Sequence, residues 1–260
     1  MEWLDRFVEV MDIVSEEGLT GLGTSQLARR TQLSKGTLHR MLREMVTHGL
    51  LSQDEATKKY CLGPRSMQWG SRFLAGQDPV GLLREHCDLL AQRTGLYTHL
   101  CRFDAGQVYC VYTRQPSDSR NTYFVHVGQR MPLHCTAAAK AILAFQPPRV
   151  IESLFPKETL TKFTEHTKTE LADITAELAD IARTRIAFCL EELEPGVSAI
   201  ATPVFHGKGE VIASIGLIAA TQYVEANREA LCRELIAIEG AASAKITPAY
   251  HLASTKPGVV

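Results

Sequence analysis

From Trp3 onward, apolar residues (Trp3, Leu4, Phe7, Val8, Val10, Met11, Val14) recur at the spacing of one helical face, which predicts an opening helix stopped by Gly18. The turn-rich stretch GLTGLG follows, and Thr24 or Ser25 is placed to cap a short second helix, SQLARR. After a brief TQL turn, Ser34 opens a third helix in which Leu38, Met41, Leu42 and Met45 form a stripe at i, i+3, i+4 and i+7. Lys35, Thr37, His39, Arg40 and Arg43 take the other arc, and Gly49 closes the helix in the left-handed conformation common at C-termini. Two β-like pieces, residues 50–52 and 59–62, flank the polar loop DEATK. Helix, short helix, turn, longer basic helix and hairpin together predict a winged helix-turn-helix. Its third helix is sized for a major groove about 12 Å wide.

Past Gly63-Pro64, helical spacing resumes at Met67, Trp69, Phe73 and Leu74 and closes at Gly76; Asp78-Pro79 then reads as an N-cap with proline at the first helical position. A short helix carrying Trp and Phe outside either core suits packing on its own domain as well as pairing of two subunits. The pattern then turns to strands at 97–103 and 108–114, joined by DAGQ, with a third near 122–127. A helix in HCTAAAKAILAF is expected to stop at Pro147-Pro148, and another covers 170–183. Strands 198–205 and 210–218 flank the tight turn HGKG, and a last helix near 227–242 runs into a polar tail. The fold class is α+β with a mostly antiparallel sheet. The expected division is 1–63 for the winged helix, 64–78 for a linker helix, 79–250 for the second domain and 251–260 for the tail.

Composition agrees with this outline. At 260 residues, 45% hydrophobic and 22% charged, the chain is long for one compact domain and near the globular average. No apolar run approaches the roughly 20 residues of a membrane span. Glu2 and Asp5 stand where a signal peptide carries basic residues, so a soluble cytoplasmic protein without membrane contacts is expected. The seven cysteines are scattered, odd in number and without a C-x-x-C pair, which argues against a disulfide framework. The net charge of −1 conceals an asymmetry: residues 1–28 hold six acids and one base, while 29–65 hold eight bases and three acids. A basic face of this kind implies a polyanion.

The charge and the helix pattern together point to double-stranded DNA; the competing readings are a merely solvated basic face, or a helix-turn-helix used for protein contacts. Lys35 and Thr37 at the helix start suit phosphates and the groove edge, and Arg40 suits guanine O6 and N7. Lys58 and Lys59 reach the backbone from the wing, and Thr24 and Ser25 meet phosphate at a helix start. Ser34, Arg43 and His39 complete the candidate set, His39 equally able to pack on the wing.

The stretch LARRTQLSKGTLHRMLREMVTHGLL, followed by KKYCLGPR, resembles the DNA-binding domain of the IclR family of bacterial transcription regulators. Lys35, Thr37, His39 and Arg40 match that family's recognition helix, whereas its usual serine falls on Gly36. GQRMPLHCTAAAKAILA and EELEPGVSAIATPVFHGKGEVIASIGL resemble the family's effector domain, so the likeness covers nearly the whole chain. The resemblance implies a GAF-like effector pocket, a homo-oligomer (dimer or dimer of dimers), no cofactor and no catalysis. The corresponding pocket residues are Leu133, Cys135, Thr136, Ala137, Ala138, Cys189, Val197 and Ala199. Relatives that bind small keto acids carry an acid where Cys189 stands, and the family's common cysteine falls on Ala199. Both departures argue for a roomier apolar pocket and an aromatic or aliphatic carboxylate effector, met by backbone N–H groups at a helix start. Glu191, Glu192 and Glu194 read as pocket groups or as a solvated acidic loop.

Two other chemistries fit less well. His134-Cys135 as a nucleophile pair lacks an orienting acid, and sequence neighbours rarely hold triad geometry. Cys101, Cys110, His126, His134 and Cys135 match no compact zinc spacing.

Overall fold

The computed structural model describes residues 3–75, 79–116, 125–155, 160–206 and 209–254. They fall into two compact units, Met1–Gly76 and Gln77–Val260.

The first unit runs α1 (Trp3–Glu16), a 3-10 turn (Gly18–Thr20), α2 (Thr24–Thr31), α3 (Lys35–Thr47), β1 (Leu51–Gln53), β2 (Tyr60–Leu62) and α4 (Pro64–Ala75). The stripe of α3 is buried as its period requires: Leu38, Met41, Leu42 and Met45 pack with Val10 and Val14 of α1, Leu27 of α2, and Leu51 and Tyr60 of the hairpin. Burying a side chain such as Leu38 or Leu42 contributes about 1.5–3 kcal/mol. Ser34 caps α3, its hydroxyl accepting from the Thr37 N–H at 3.2 Å, and Gly49 follows the last turn at φ +69°. β1 and β2 pair antiparallel, and Leu22 bridges Tyr60 as a short third rung.

One cap differs from expectation. α2 is capped by Gly23, whose N–H donates to Gln26 Oε1 at 2.9 Å, and Thr24 and Ser25 are its first helical residues. Gln26 reaches back to the backbone from the third position, so no hydroxyl is needed at the cap. Met67, Trp69 and Phe73 of α4 remain more than half exposed in this chain.

The second unit begins with a 3-10 turn (Pro79–Leu83) and α5 (Arg84–Thr94). Next come β3 (Tyr97–Asp104), β4 (Gln107–Arg114), β5 (Arg130–Met131), α6 (Ala137–Leu143), α7 (Pro148–Leu154) and α8 (Leu171–Thr184). It ends with β6 (Ala187–Leu190), β7 (Val197–Phe205), β8 (Val211–Ala220), α9 (Thr221–Ala226) and α10 (Arg228–Ser254). The strands form one antiparallel sheet in the order β5-β4-β3-β8-β7-β6. One face, with Leu100, Ile200, Ile215 and Leu217, packs against Cys87 and Leu90 of α5 and Leu231, Leu235 and Ile238 of α10. The other carries α6, whose Ala137 and Ala141 lie in one cluster with Ala187, Cys189 and Ala201. Alanines on both sides let the helix approach the sheet closely, and covered faces explain why β8 reads as a nearly continuous apolar run.

Several expectations shift here. Pro148 does not merely stop a helix; it opens α7 at the first helical position, where its missing N–H costs nothing. The strand expected near 122–127 lies largely outside the described residues, as do Gly76, Asp78, the middle of the HGKG turn and the end of the tail. The edge strand that does pair is Arg130–Met131. α10 continues to Ser254 rather than ending near residue 242. β6, α7 and α9 carried too few residues to show a period.

Candidate nucleic-acid interface and ligand cavity

Because Leu38, Met41, Leu42 and Met45 anchor α3, the opposite arc faces solvent. Ser34, Lys35, His39, Arg40 and Arg43 are exposed, and Thr37 is half-buried with its hydroxyl 2.9 Å from that of Ser34. Lys35 and Thr37 therefore sit on the first turn, where the helix dipole adds positive potential. Arg40 also borders a groove between α1 and α3 with Trp3, Phe7, Glu44 and His48. The wing tip is held by Asp54, whose carboxylate accepts from the Thr57 hydroxyl and N–H, both at 2.6 Å; these bonds keep it below its usual pKa. Lys58 stands exposed at φ +56°, whereas Lys59 turns its ammonium onto the Thr20 carbonyl at 3.3 Å. Thr24 is half-buried and Ser25 exposed at the start of α2. Arg30 is spent elsewhere: it pairs with Glu16 at 2.5 Å and Glu17 at 2.9 Å, joining α2 to the end of α1. The regional charge balance thus overstates the basic face by one residue.

In the second unit, six of the eight expected effector residues (Thr136, Ala137, Ala138, Cys189, Val197 and Ala199) line one cavity of about 100 Å³. Leu133 and Cys135 are not among the lining residues. Leu133 is half-buried against the α6 clusters, and Cys135 is fully buried. The cavity is completed by His99 of β3, Val125, Gln129, Met131, Leu193, Glu194, Ser198 and Ile218 of β8. Glu194 was among the acids read as possible pocket groups. Gln129, Met131, Leu193 and Ser198 lie within the two motifs, but nothing local marks them as facing inward. His99, Val125 and Ile218 come from stretches outside the motifs that only the fold brings together. One signal was available: Gly216, inside an apolar strand, marks a close approach. Its register partner is His99, and a Cβ on Gly216 would lie 2.8 Å from the imidazole and 2.7 Å from the Ile200 carbonyl oxygen. Most of the cavity wall is apolar, with Val125, Met131 and Leu193 contributing, and it is partly open rather than enclosed.

Polar groups around the cavity are mostly spoken for. Thr136 Oγ1 donates to the Pro132 carbonyl at 2.7 Å, and the Ser198 and Thr221 hydroxyls lie 2.8 Å apart. His99 is the exception: its Nδ1 is buried without a hydrogen-bond partner, and burial pushes the imidazole down to about 4.

Beside the cavity lies a buried charge cluster. Lys140 of α6, fully buried, donates to Glu177 of α8 at 2.8 Å and to Glu192 at 2.5 Å, and Lys168 donates to the other oxygen of Glu177 at 2.9 Å. Burial alone would lower Lys140, but the two carboxylates hold it above the ordinary lysine value. Glu192 is thus a buried structural partner rather than a solvated loop acid, while Glu194 is exposed at the cavity rim. The 191–192 corner is further tied down by Thr164 and Thr167, whose hydroxyls donate to the Glu191 and Glu192 carbonyls, both at 2.6 Å.

The nucleophile reading of His134-Cys135 finds no support in this geometry. Burial pushes the Cys135 thiol up to about 12, with Cys189 and Glu192 adding to it, and His134 Nε2 lies 2.9 Å from the Thr161 carbonyl. Among the described residues no three His, Cys, Asp or Glu side chains converge as metal ligands, and no helix is long and apolar enough to cross a membrane.

Comparison with known proteins bears on both sites. Residues 4–55 match the IclR helix-turn-helix domain, and residues 74–246 match the bacterial transcriptional regulator IclR C-terminal domain. The chain is 29% identical to the Escherichia coli HTH-type transcriptional regulator XynR over 92% of this chain and 94% of that protein. It is 30% identical to the glycerol operon regulatory protein of Streptomyces coelicolor, over 82% and 80%. Among solved structures, an IclR-type regulator from Silicibacter matches with a TM-score of 0.78 at 23% identity, covering 94% of this chain and 95% of that one. An IclR homolog from Microbacterium hydrocarbonoxydans, solved with 4-hydroxybenzoate, matches with a TM-score of 0.76 at 22% identity, over 94% and 99%. The curated relatives are named as regulators, not as enzymes.

Proposed function

The chain belongs to the IclR family of bacterial transcriptional regulators, and we propose that it binds an operator through α3 and the wing and is switched by a small organic acid held in the cavity beneath α6. One observation carries the DNA reading: the side chains opposite the buried stripe of α3 are Lys35, His39, Arg40 and Arg43, all exposed on a helix capped by Ser34. Arg40 reads a base edge, Lys35 and Thr37 fix register on phosphates, and Lys58 follows the backbone from the wing. Ser34, Arg43, Lys59, Thr24 and Ser25 complete the contact surface.

Two copies acting together read two half-sites, as a dimer or a dimer of dimers, since one winged helix contacts few base pairs. The effector carboxylate meets the first-turn amides beside Ala137 and Ala138. Support for such a ligand comes from the cavity lining and from the 4-hydroxybenzoate bound to the Microbacterium relative. The mostly apolar lining favours an aliphatic or aromatic carboxylate. Switching requires the effector to bind the two DNA-binding poses with different affinity.

Footprinting upstream of the neighbouring genes, with affinity measured across salt concentrations, tests the DNA reading. A protected palindrome and a steep salt slope are expected; uniform protection at low salt alone would refute operator binding.

A further inference from the structure

His99 stands out among the groups that neither the helix-turn-helix nor the buried charge cluster uses. It lies in the middle of β3, 1% exposed, with its imidazole among the residues lining the cavity and its Nδ1 without a partner. Buried polar side-chain atoms nearly always have partners, and leaving one without is destabilising. The strand opposite makes room for this ring at a further cost: Gly216, its register partner, is glycine where the backbone and the imidazole leave no space for a Cβ. Two residues along the same face of β8, Ser214 is also fully buried with an unpaired hydroxyl. A leucine at position 99 would fill such a floor with no polar loss, so stability alone does not account for histidine.

We propose that the imidazole of His99 is the polar anchor at the floor of the cavity, selecting effectors that carry a hydroxyl group in addition to their acid function. This deepens the effector reading above and rests on it. Nδ1 is closed off in the empty protein, so the ring turns toward the cavity to meet the ligand's hydroxyl. That hydroxyl then supplies the missing partner by exchanging a hydrogen bond with the neutral ring. An effector without that hydroxyl leaves the ring orphaned and forfeits the discrimination. His99 thereby trades stability of the empty protein for selectivity.

The test is a thermal-shift and calorimetric titration of the full chain with two matched pairs, lactate against propionate and 4-hydroxybenzoate against benzoate. In at least one pair the hydroxylated acid is expected to bind about tenfold or more tightly. His99→Leu should abolish that preference while the empty protein melts no lower than wild type. His99→Asn, which restores a polar group near the Nδ1 position, should recover part of it. A purely structural histidine would behave oppositely, His99→Leu melting several degrees lower and keeping the preference. That result overturns the proposal, as does failure of both hydroxylated acids to bind better than their partners. Ala199→Leu separates the two readings by narrowing the cavity while leaving His99 in place. If it changes neither acid's binding, the acids bind elsewhere and the cavity reading falls. If it weakens both while His99→Leu keeps the preference, only the role of His99 falls.

Discussion

Helix α3 and the cavity beneath α6 solve opposite electrostatic problems. α3 keeps its charges outside: Lys35, Arg40 and Arg43 are exposed to water, and the same thirteen residues bury an apolar stripe that fixes their direction. The cavity instead borders a buried Lys140–Glu177–Glu192 cluster, and its floor carries a neutral imidazole. Charge costs α3 almost nothing, because water screens it. In the second unit a charge is tolerated only where a partner is built in beside it. Removing a charge should therefore cost binding on α3 and stability at the buried cluster.

The largest expected effect tests that contrast at Lys140. Lys140→Met keeps much of the volume but strands the buried Glu192 carboxylate and leaves Glu177 with Lys168 alone, so unfolding should become easier by roughly 3–5 kcal/mol. Chemical denaturation measures this, and adding Glu177→Gln and Glu192→Gln should recover much of the loss. If Lys140→Met alone is neutral, the cluster is better solvated than its burial indicates.

Next comes pH. Burial pushes the His99 imidazole from its ordinary 6.5 down to about 4, so between those values the unfolded chain binds a proton that the folded chain refuses. Stability is then lost as pH falls below 6.5, the loss reaching about 3 kcal/mol near pH 4. Subtracting the profile of His99→Leu from that of wild type isolates this contribution, because the carboxylates are common to both. Parallel profiles would show that the ring reaches water on a fast timescale.

On the DNA side the effects should appear in affinity. Arg40→Ala is expected to cost roughly 1–3 kcal/mol at each half-site and to relax the preference for one base, with the melting temperature unchanged. Lys58→Ala should weaken all sequences alike and reduce the salt slope by about 1. Mobility shifts on operator and scrambled DNA distinguish the two; equal loss on both sequences for Arg40→Ala would remove it from the base edge.

The smallest effect belongs to Gly36. A Cβ there would meet nothing within 4 Å, so Gly36→Ala should stabilise α3 by up to about 1 kcal/mol in thermal unfolding. Gly36→Ser adds a hydroxyl at the position where the family usually has one. If it also tightens binding to every DNA sequence, that hydroxyl reaches a phosphate.

Much of the first unit was legible in the chain because its determinants are local. A 3.6-residue period sets both which face of α3 is buried and which residues point outward, and Ser34 and Gly49 mark its ends within a few residues of where the helix stops. The same holds for the long strands and for α8. Shorter elements such as β6 and α7 span less than two helical turns or a few strand residues, so no period could announce them. Motif likeness located α6 and the 189–199 segment, and with them six cavity residues. It also placed Leu133 and Cys135 in the cavity, since adjacency along a chain says nothing of which side chain turns inward. His99, Met131 and Ile218 joined the site, Lys140 found its two carboxylates, and Gly216 acquired its purpose only when antiparallel register brought β3 and β8 side by side and α6 settled over them. A helix face is decided by neighbours three and four residues away. A cavity is decided by strands more than a hundred residues apart, whose contacts exist only once the sheet has formed.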